Sequence, residues 1–195
     1  MEWNMKNKLI VFDFFGVMGS EVADLWLPKH FSAEESERLH RGIISDADAG
    51  RIDPEVMYAE ISRLAGVDID TLKKEWFAIA RVDEGMVELA RELRKEYTVV
   101  LLSNAYSEFI DRIFEKFSMD GCFERKFISS DLKMIKPDPA IFNYVLSEMG
   151  FSAEDAVMID DNPRNIAAAK AVGMNGIVFC GRDALIKEID KLFNK

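Results

Sequence analysis

Leu9-Ile10-Val11-Phe12-Asp13-Phe14-Phe15-Gly16-Val17 sets four uninterrupted apolar residues directly before an aspartate. A run that short and that continuously apolar suits a strand covered on both faces, as in a parallel sheet. Three more runs of the same kind follow: Val99 to Leu102, Val157 to Ile159, and Ile177 to Phe179. Helical patterns separate them. Met86, Leu89, Ala90 and Leu93 recur at i, i+3, i+4 and i+7, and so do Phe142, Val145, Leu146 and Met149, with Ile141 beside them. Asp138-Pro139 reads as an N-cap with proline in the first turn, and Gly150 as the matching C-cap. Strands alternating with helices predict an α/β fold, a doubly wound parallel sheet with right-handed crossovers.

One segment breaks the alternation. Between Gly19 and Val82 the sequence shows helical patterns and no apolar run of strand type. Ser32-Ala33-Glu34-Glu35 is a capping box, Asp53-Pro54 opens a helix reaching about Gly66, and Asp70-Thr71 begins another ending near Ala80. Ser45 to Gly50 reads as a loop between them. The expected organisation is a core of residues 1–18 and 83–195 with a helical cap of residues 19–82.

Composition narrows the function classes. The chain has 195 residues, 49% hydrophobic and 31% charged, with a net charge of −10. A chain of this size buries about 70% of its unfolded surface and needs no staples. The acidic balance counts against nucleic acid and anionic membranes as partners. No apolar run approaches a membrane span and no leader pattern is present, so a cytoplasmic protein is expected. Cys122 and Cys180 lack metal-ligand spacing and read as reduced thiols. Met1 and Met5 are both candidate initiators, and a monomer and a homodimer fit the sequence equally.

In an open α/β sheet, ligands sit outside the carboxyl ends of the strands. Asp13-Phe14-Phe15 follows the first run, Ser103-Asn104 the second and Asp160-Asp161-Asn162 the third, while Lys136-Pro137 precedes a helix. Taken singly, each has an ordinary explanation: an aspartate after a strand is usually a turn or cap residue, and a lysine is usually solvated. Together they deliver carboxylates, a hydroxyl, an amide and an ammonium to one edge.

That ordered set resembles the haloacid dehalogenase (HAD) superfamily, with a Rossmann-type core. Asp160-Asp161-Asn162-Pro163-Arg164-Asn165-Ile166, with Ala169 and Gly173, is similar to the fourth motif of its phosphatases, and the insertion sits where the family carries a small C1-type helical cap. The resemblance implies a Mg²⁺-dependent hydrolysis of a small phosphorylated metabolite. Asp13 would be the nucleophile, forming an aspartyl-phosphate that water hydrolyses. Asp13, the Phe15 carbonyl and Asp161 would hold Mg²⁺, with Asp160 and Asn165 completing and orienting that site. Ser103 and Asn104 would bind the phosphate, and Lys136 would neutralise it.

The family's phosphatases usually carry a second aspartate two residues after the nucleophile, as general acid and base. Here that residue is Phe15, so a contribution of about 10²–10⁴-fold is missing. Some sugar-1-phosphatase-like members lack it too, and a sugar phosphate is therefore among the expected substrates. A 2-haloacid dehalogenase also carries an aromatic residue there, but it lacks the acidic pair. A protein that binds phosphate and metal with little or no turnover is the third reading. Outside the motifs, Arg51 reads either as a solvated surface arginine or as one that reaches an anionic substrate from the cap. His30, His40 and the Glu34, Glu35 and Glu37 face read as surface, and Trp26, Trp76 and Phe77 as cap packing. Val17 and Met18 are expected at the site entrance, and Gly19 and Val82–Gly85 as hinges.

Overall fold

A computed structural model describes residues 7–193; Met1 and Met5 lie outside the described residues. Five parallel strands form one sheet in the order β3-β2-β1-β4-β5: β1 Leu9–Phe12, β2 Thr98–Ser103, β3 Arg125–Ile128, β4 Ala156–Asp160 and β5 Asn175–Val178. The central β1 pairs with β2 on one side and β4 on the other, and every one of its residues is buried. From β1 the chain moves out through β2 to β3, then crosses back to β4 and out to β5. The switch point therefore lies between β1 and β4, where the strand ends leave a crevice.

Two layers of side chains explain the continuous apolar runs. Ile10, Phe12, Val99, Leu101, Val157 and Ile159 face one core, shared with α6 (Glu84–Glu96), α7 (Ser107–Lys116), α11 (Arg182–Phe193) and the inserted helices. Leu9, Val11, Val100, Leu102 and Met158 face the other, against α9 (Pro139–Met149) and α10 (Pro163–Ala171). Asp138 caps α9 through Ala140 N–H at 2.9 Å, and Gly150 closes it in the left-handed region, as the sequence predicts.

The strand count differs from the sequence expectation. β3 was not legible because its Arg125 and Lys126 half is exposed at the sheet edge and only Phe127 and Ile128 are buried. Charged residues on an edge strand discourage pairing with other chains. β5 begins two residues before the apolar run that announces it, although Phe179 N–H still donates to Asp160 O at 2.9 Å.

Between β1 and α6 the chain is helical: α1 Val22–Trp26, α2 Ala33–Leu39, α3 Ser45–Asp48, α4 Pro54–Ala65 and α5 Ile69–Ile79. Ser32 and Glu35 form the expected capping box, and Asp53 and Gly66 bound α4. Asp68, rather than Asp70, caps α5. Ser45–Asp48 is helical and not a loop, because a π-turn over His40–Ile44 carries α2 directly into it with a kink at Gly42. The two connecting segments lie side by side. Gly19 bridges to Val82, Ser20 N–H donates to Arg81 O at 3.0 Å, and Asp83 N–H donates to Met18 O at 2.9 Å. Val17 and Met18 are buried here, away from the strand-end crevice.

Among the described residues no helix is long and apolar enough to cross a membrane. Cys122 is buried, Cys180 is exposed, and both are free.

Candidate active site

Asp13 is the first residue past β1, and its N–H still donates to Ile159 O at 2.9 Å, which ties it to β4. It is 7% exposed. Oδ1 accepts from Phe14 N–H at 2.6 Å and from Lys136 Nζ at 2.8 Å, and Oδ2 accepts no hydrogen bond among the described residues. Asp160 ends β4 and is fully buried. Its Oδ1 accepts from Asn162 N–H at 2.8 Å and Asn165 Nδ2 at 3.0 Å. Its Oδ2 accepts from Lys136 Nζ at 2.7 Å and Asn165 Nδ2 at 2.9 Å. A carboxylate offers about four lone-pair sites, so protein donors fill Asp160. It holds Lys136 and Asn165 in place.

The electrostatics carry surplus negative charge. Burial drives the Asp13 carboxyl well above its ordinary value, and Lys136 offsets this only in part. Burial also opposes the charge on Asp160, but Lys136 and the hydrogen bonds outweigh it and hold that carboxyl below its usual range. Lys136 is penalised by burial, and the two carboxylates more than compensate, so its ammonium is held on. Burial and Asp160 together raise Asp161. Oxygens of Asp13, Asp160 and Asp161 lie within 4.8 Å of one another. Three carboxylates facing one ammonium form a hard-oxygen site that an added cation would relieve, and that donor set fits Mg²⁺.

Two backbone features shape the crevice. Gly16 has φ +76°, and a Cβ there would stand 2.2 Å from Asp161 Oδ2, so only glycine lets the loop after Asp13 pass the Asp161 carboxylate. Ser103 ends β2 fully buried, and its Oγ has no hydrogen-bond partner among the described residues. A buried hydroxyl left unpaired costs about 1–3 kcal/mol. An anionic ligand at the strand ends would repay that cost.

A cavity of about 460 Å³ opens at this edge of the sheet, with Ser103 itself buried behind its lining. Asp13, Phe15, Asn104, Lys136 and Asp161 line its floor, and the inserted helices contribute Glu21, His40, Asp48, Met57 and Trp76. Phe15 sits in an aromatic row, T-shaped against Phe14 at 5.1 Å and tilted against Phe109 at 6.3 Å. The row continues through Tyr106 and Tyr58 to Trp76. Tyr58 of α4 and Tyr106 at the start of α7 join hydroxyl to hydroxyl.

Several expected residues sit elsewhere. Arg51 is outside the cavity, its guanidinium drawn onto Asp46 on the surface; Arg41 lines the cavity instead and pairs with Glu37 at 2.6 Å. The Asn104 side chain is engaged with protein at both ends of its amide, on Lys136 N–H and Lys136 O. His30 stacks on Trp26 at 3.9 Å. Arg112 and Lys116 lie over the Phe77 ring.

His40 is not a bare surface residue. It lines the cavity with Nε2 3.7 Å from Glu21 and 3.8 Å from Asp24. Glu21 raises its pKa most, burial opposes, and Asp24 and Asp48 add to the rise. Burial raises the Asp48 carboxyl well above its ordinary value, and Glu21 adds to that. From the sequence, His40 reads as surface, and Glu21, Asp48, Tyr58 and Tyr106 are not singled out. Their only linear signal is placement in a helical insertion whose faces cannot be assigned without its kink.

Comparison with known proteins agrees with the geometry. A model of the haloacid dehalogenase-like hydrolases matches residues 7–173. Sesquiterpene phosphatase astK of Aspergillus oryzae is 28% identical over 149 residues, 74% of this chain and 76% of that protein. Phosphoserine phosphatase of Methanocaldococcus jannaschii is 26% identical over 204 residues, 97% of this chain and 93% of that protein. Drimenol cyclase drtB of Aspergillus calidoustus is 35% identical over only 71 residues, 36% of this chain and 13% of that protein. A HAD family enzyme of Bacteroides thetaiotaomicron, solved with magnesium and inorganic phosphate, superposes with a TM-score of 0.76 at 24% identity. The superposition covers 90% of this chain and 96% of that one. A parallel sheet switching direction between β1 and β4, a lysine-braced aspartate at that switch, and a family match across most of its length make this chain a member of the haloacid dehalogenase-like hydrolase family.

Proposed function

We propose that the protein is a Mg²⁺-dependent phosphatase acting on a small phosphomonoester, a sugar phosphate among them, through an aspartyl-phosphate on Asp13. The observation that carries this reading is the asymmetry of the Asp13 carboxylate. Oδ1 is fixed by Phe14 N–H and Lys136, while Oδ2 accepts no hydrogen bond among the described residues, and Asp13 lines the cavity. Oδ2 attacks phosphorus, the Oδ2–P bond forms, and the bond to the leaving alcohol breaks with its electron pair going to that oxygen. Phe15 has no proton to give, so the alcohol takes one from water. Water then attacks phosphorus and gives a proton to the hydroxide left by that transfer, the P–Oδ2 bond breaks with its electron pair returning to Asp13, and inorganic phosphate leaves. Lys136 stays charged throughout and offsets the transferring group. Ser103 Oγ donates to a phosphate oxygen. Asp13, Asp161 and the Phe15 carbonyl would hold Mg²⁺, which when bound supplies positive charge against carboxylate–phosphate repulsion.

A second reading, phosphate binding with little turnover, draws on Phe15 alone. The acidic pair Asp160-Asp161 weighs against dehalogenation of a 2-haloacid. One experiment separates them: turnover of phosphomonoesters with leaving groups of graded pKa, with and without Mg²⁺, using Asp13→Asn as the blank. Metal-dependent release of phosphate that Asp13→Asn abolishes, falling steeply as the leaving-group pKa rises, is the expected result. No turnover by wild type across the series, with inorganic phosphate still binding, would overturn the phosphatase reading in favour of the second.

A further inference from the structure

Lys136 lies between α8 (Ser129–Leu132) and α9, in a segment without regular structure. It is nonetheless 3% exposed, so its own N–H and C=O are shut away from water. Neither group has a main-chain partner among the described residues. Both are met by one side chain: Lys136 N–H donates to Asn104 Oδ1 at 2.9 Å, and Asn104 Nδ2 donates to Lys136 O at 3.0 Å. Asn104 follows β2 directly, so the clamp ties the loop to the sheet edge. At the far end of the same lysine, Nζ reaches Asp13 Oδ1 and Asp160 Oδ2 at 2.8 and 2.7 Å.

We infer that Asn104 is a positioning residue, which fixes the backbone of Lys136 so that the ammonium is delivered between Asp13 and Asp160, and does not itself bind the phosphate. The chemistry of the amide supports this. One acceptor and one donor match the N–H and C=O of a single residue, a pairing that aspartate and alanine cannot reproduce. A long, flexible lysine on an unpaired loop would otherwise wander, and a misplacement of about 1 Å in a catalytic group can cost on the order of 10²-fold.

The inference rests on the proposed phosphatase chemistry for its kinetic test and on geometry alone for a second one. The kinetic test is a cycle of Asn104→Ala, Lys136→Met and the double variant, read as kcat/KM on an aryl phosphate with Mg²⁺. Asn104→Ala is expected to lose about 10²-fold with most of the loss in kcat, and to cost nothing further once Lys136→Met is present. Losses that multiply would mean that Asn104 contacts substrate in its own right and would overturn the inference. Wild-type kcat/KM with only a lowered Tm would do the same, by making the clamp purely structural. Asn104→Asp keeps the acceptor and stands in if Asn104→Ala does not fold. The second test needs no turnover: a crystal structure of the Asn104 variant is expected to show Lys136 Nζ withdrawn from Asp13. An ammonium still in place sinks the inference even if the protein proves to be no phosphatase.

Discussion

The floor and the roof of the cavity are built to different standards. On the floor, Asp13, Lys136, Asp160 and Asn165 are each under 10% exposed and held by contacts of 2.6–3.0 Å that leave few polar atoms idle. In the roof, His40 meets Glu21 and Asp24 at 3.7 and 3.8 Å, on side chains 36–66% exposed. Groups that stabilise charge as it develops gain most when fixed and dry. Groups that receive variable leaving alcohols can be wetter and looser. On the proposed phosphatase reading, the rigid half sets the reaction and the soft half sets what is brought to it.

Breaking the floor should cost most. Gly16→Ala forces a Cβ to within 2.2 Å of Asp161 Oδ2 at a positive φ. The left-handed backbone alone costs about 1–2 kcal/mol, and moving Asp161 should take roughly 10²-fold from kcat/KM. Thermal unfolding and kinetics on the same sample separate the two. Unchanged kcat/KM beside a lowered Tm would take Asp161 out of the working site.

Phe15→Asp probes the seam between the halves. It removes ring contacts to Phe14 and Phe109, each worth about 0.5–1.5 kcal/mol. A loss near 1–3 kcal/mol in denaturant unfolding is expected, together with faster turnover of alkyl relative to aryl phosphates as an acid is restored. An unaltered leaving-group dependence would show that the aromatic row has no room for that role.

How much of this was legible follows the same division. Asp13, Ser103, Lys136 and Asp160-Asp161 could be read from the chain because each follows or faces the end of a buried strand, and such strands announce themselves as apolar runs. β3 escaped because an edge strand needs only half its residues apolar. In the insertion, the caps of α2 and α4 were plain, since a cap is a local hydrogen bond. Which helix faces meet the cavity was not, because that depends on the Gly42 kink and on the Tyr58–Tyr106 contact across the seam. Arg51 shows the cost: next to the right loop in sequence, it is captured by Asp46 outside the cavity.

The roof's charge should show in substrate choice. Glu21, Asp24 and Asp48 line the cavity against His40 and an Arg41 already paired with Glu37. Two-carbon phosphates that differ only at the far end isolate the effect. Phosphoglycolate, with a carboxylate, should have about tenfold lower kcat/KM than 2-hydroxyethyl phosphate, below the several kcal/mol of fully desolvated like charges. Asp48→Asn should narrow the gap. Equal values for the two substrates would place the leaving group away from this wall.

The smallest expected effect is also the sharpest test of how soft the roof is. Glu21 does most to raise the His40 pKa, burial opposes it, and Asp24 and Asp48 assist. Folding thus favours the charged imidazole. Its stabilisation is complete below the unfolded value of about 6.5 and is lost as pH rises through the higher folded value. Side chains this exposed limit the gain to under about 1 kcal/mol. Wild type should therefore exceed His40→Gln in stability at about pH 6 and match it at about pH 9, with the difference shrinking in high salt. A larger gap that ignores salt would mean that the imidazole is locked as firmly as Lys136. The contrast between floor and roof would then be one of chemistry and not of rigidity.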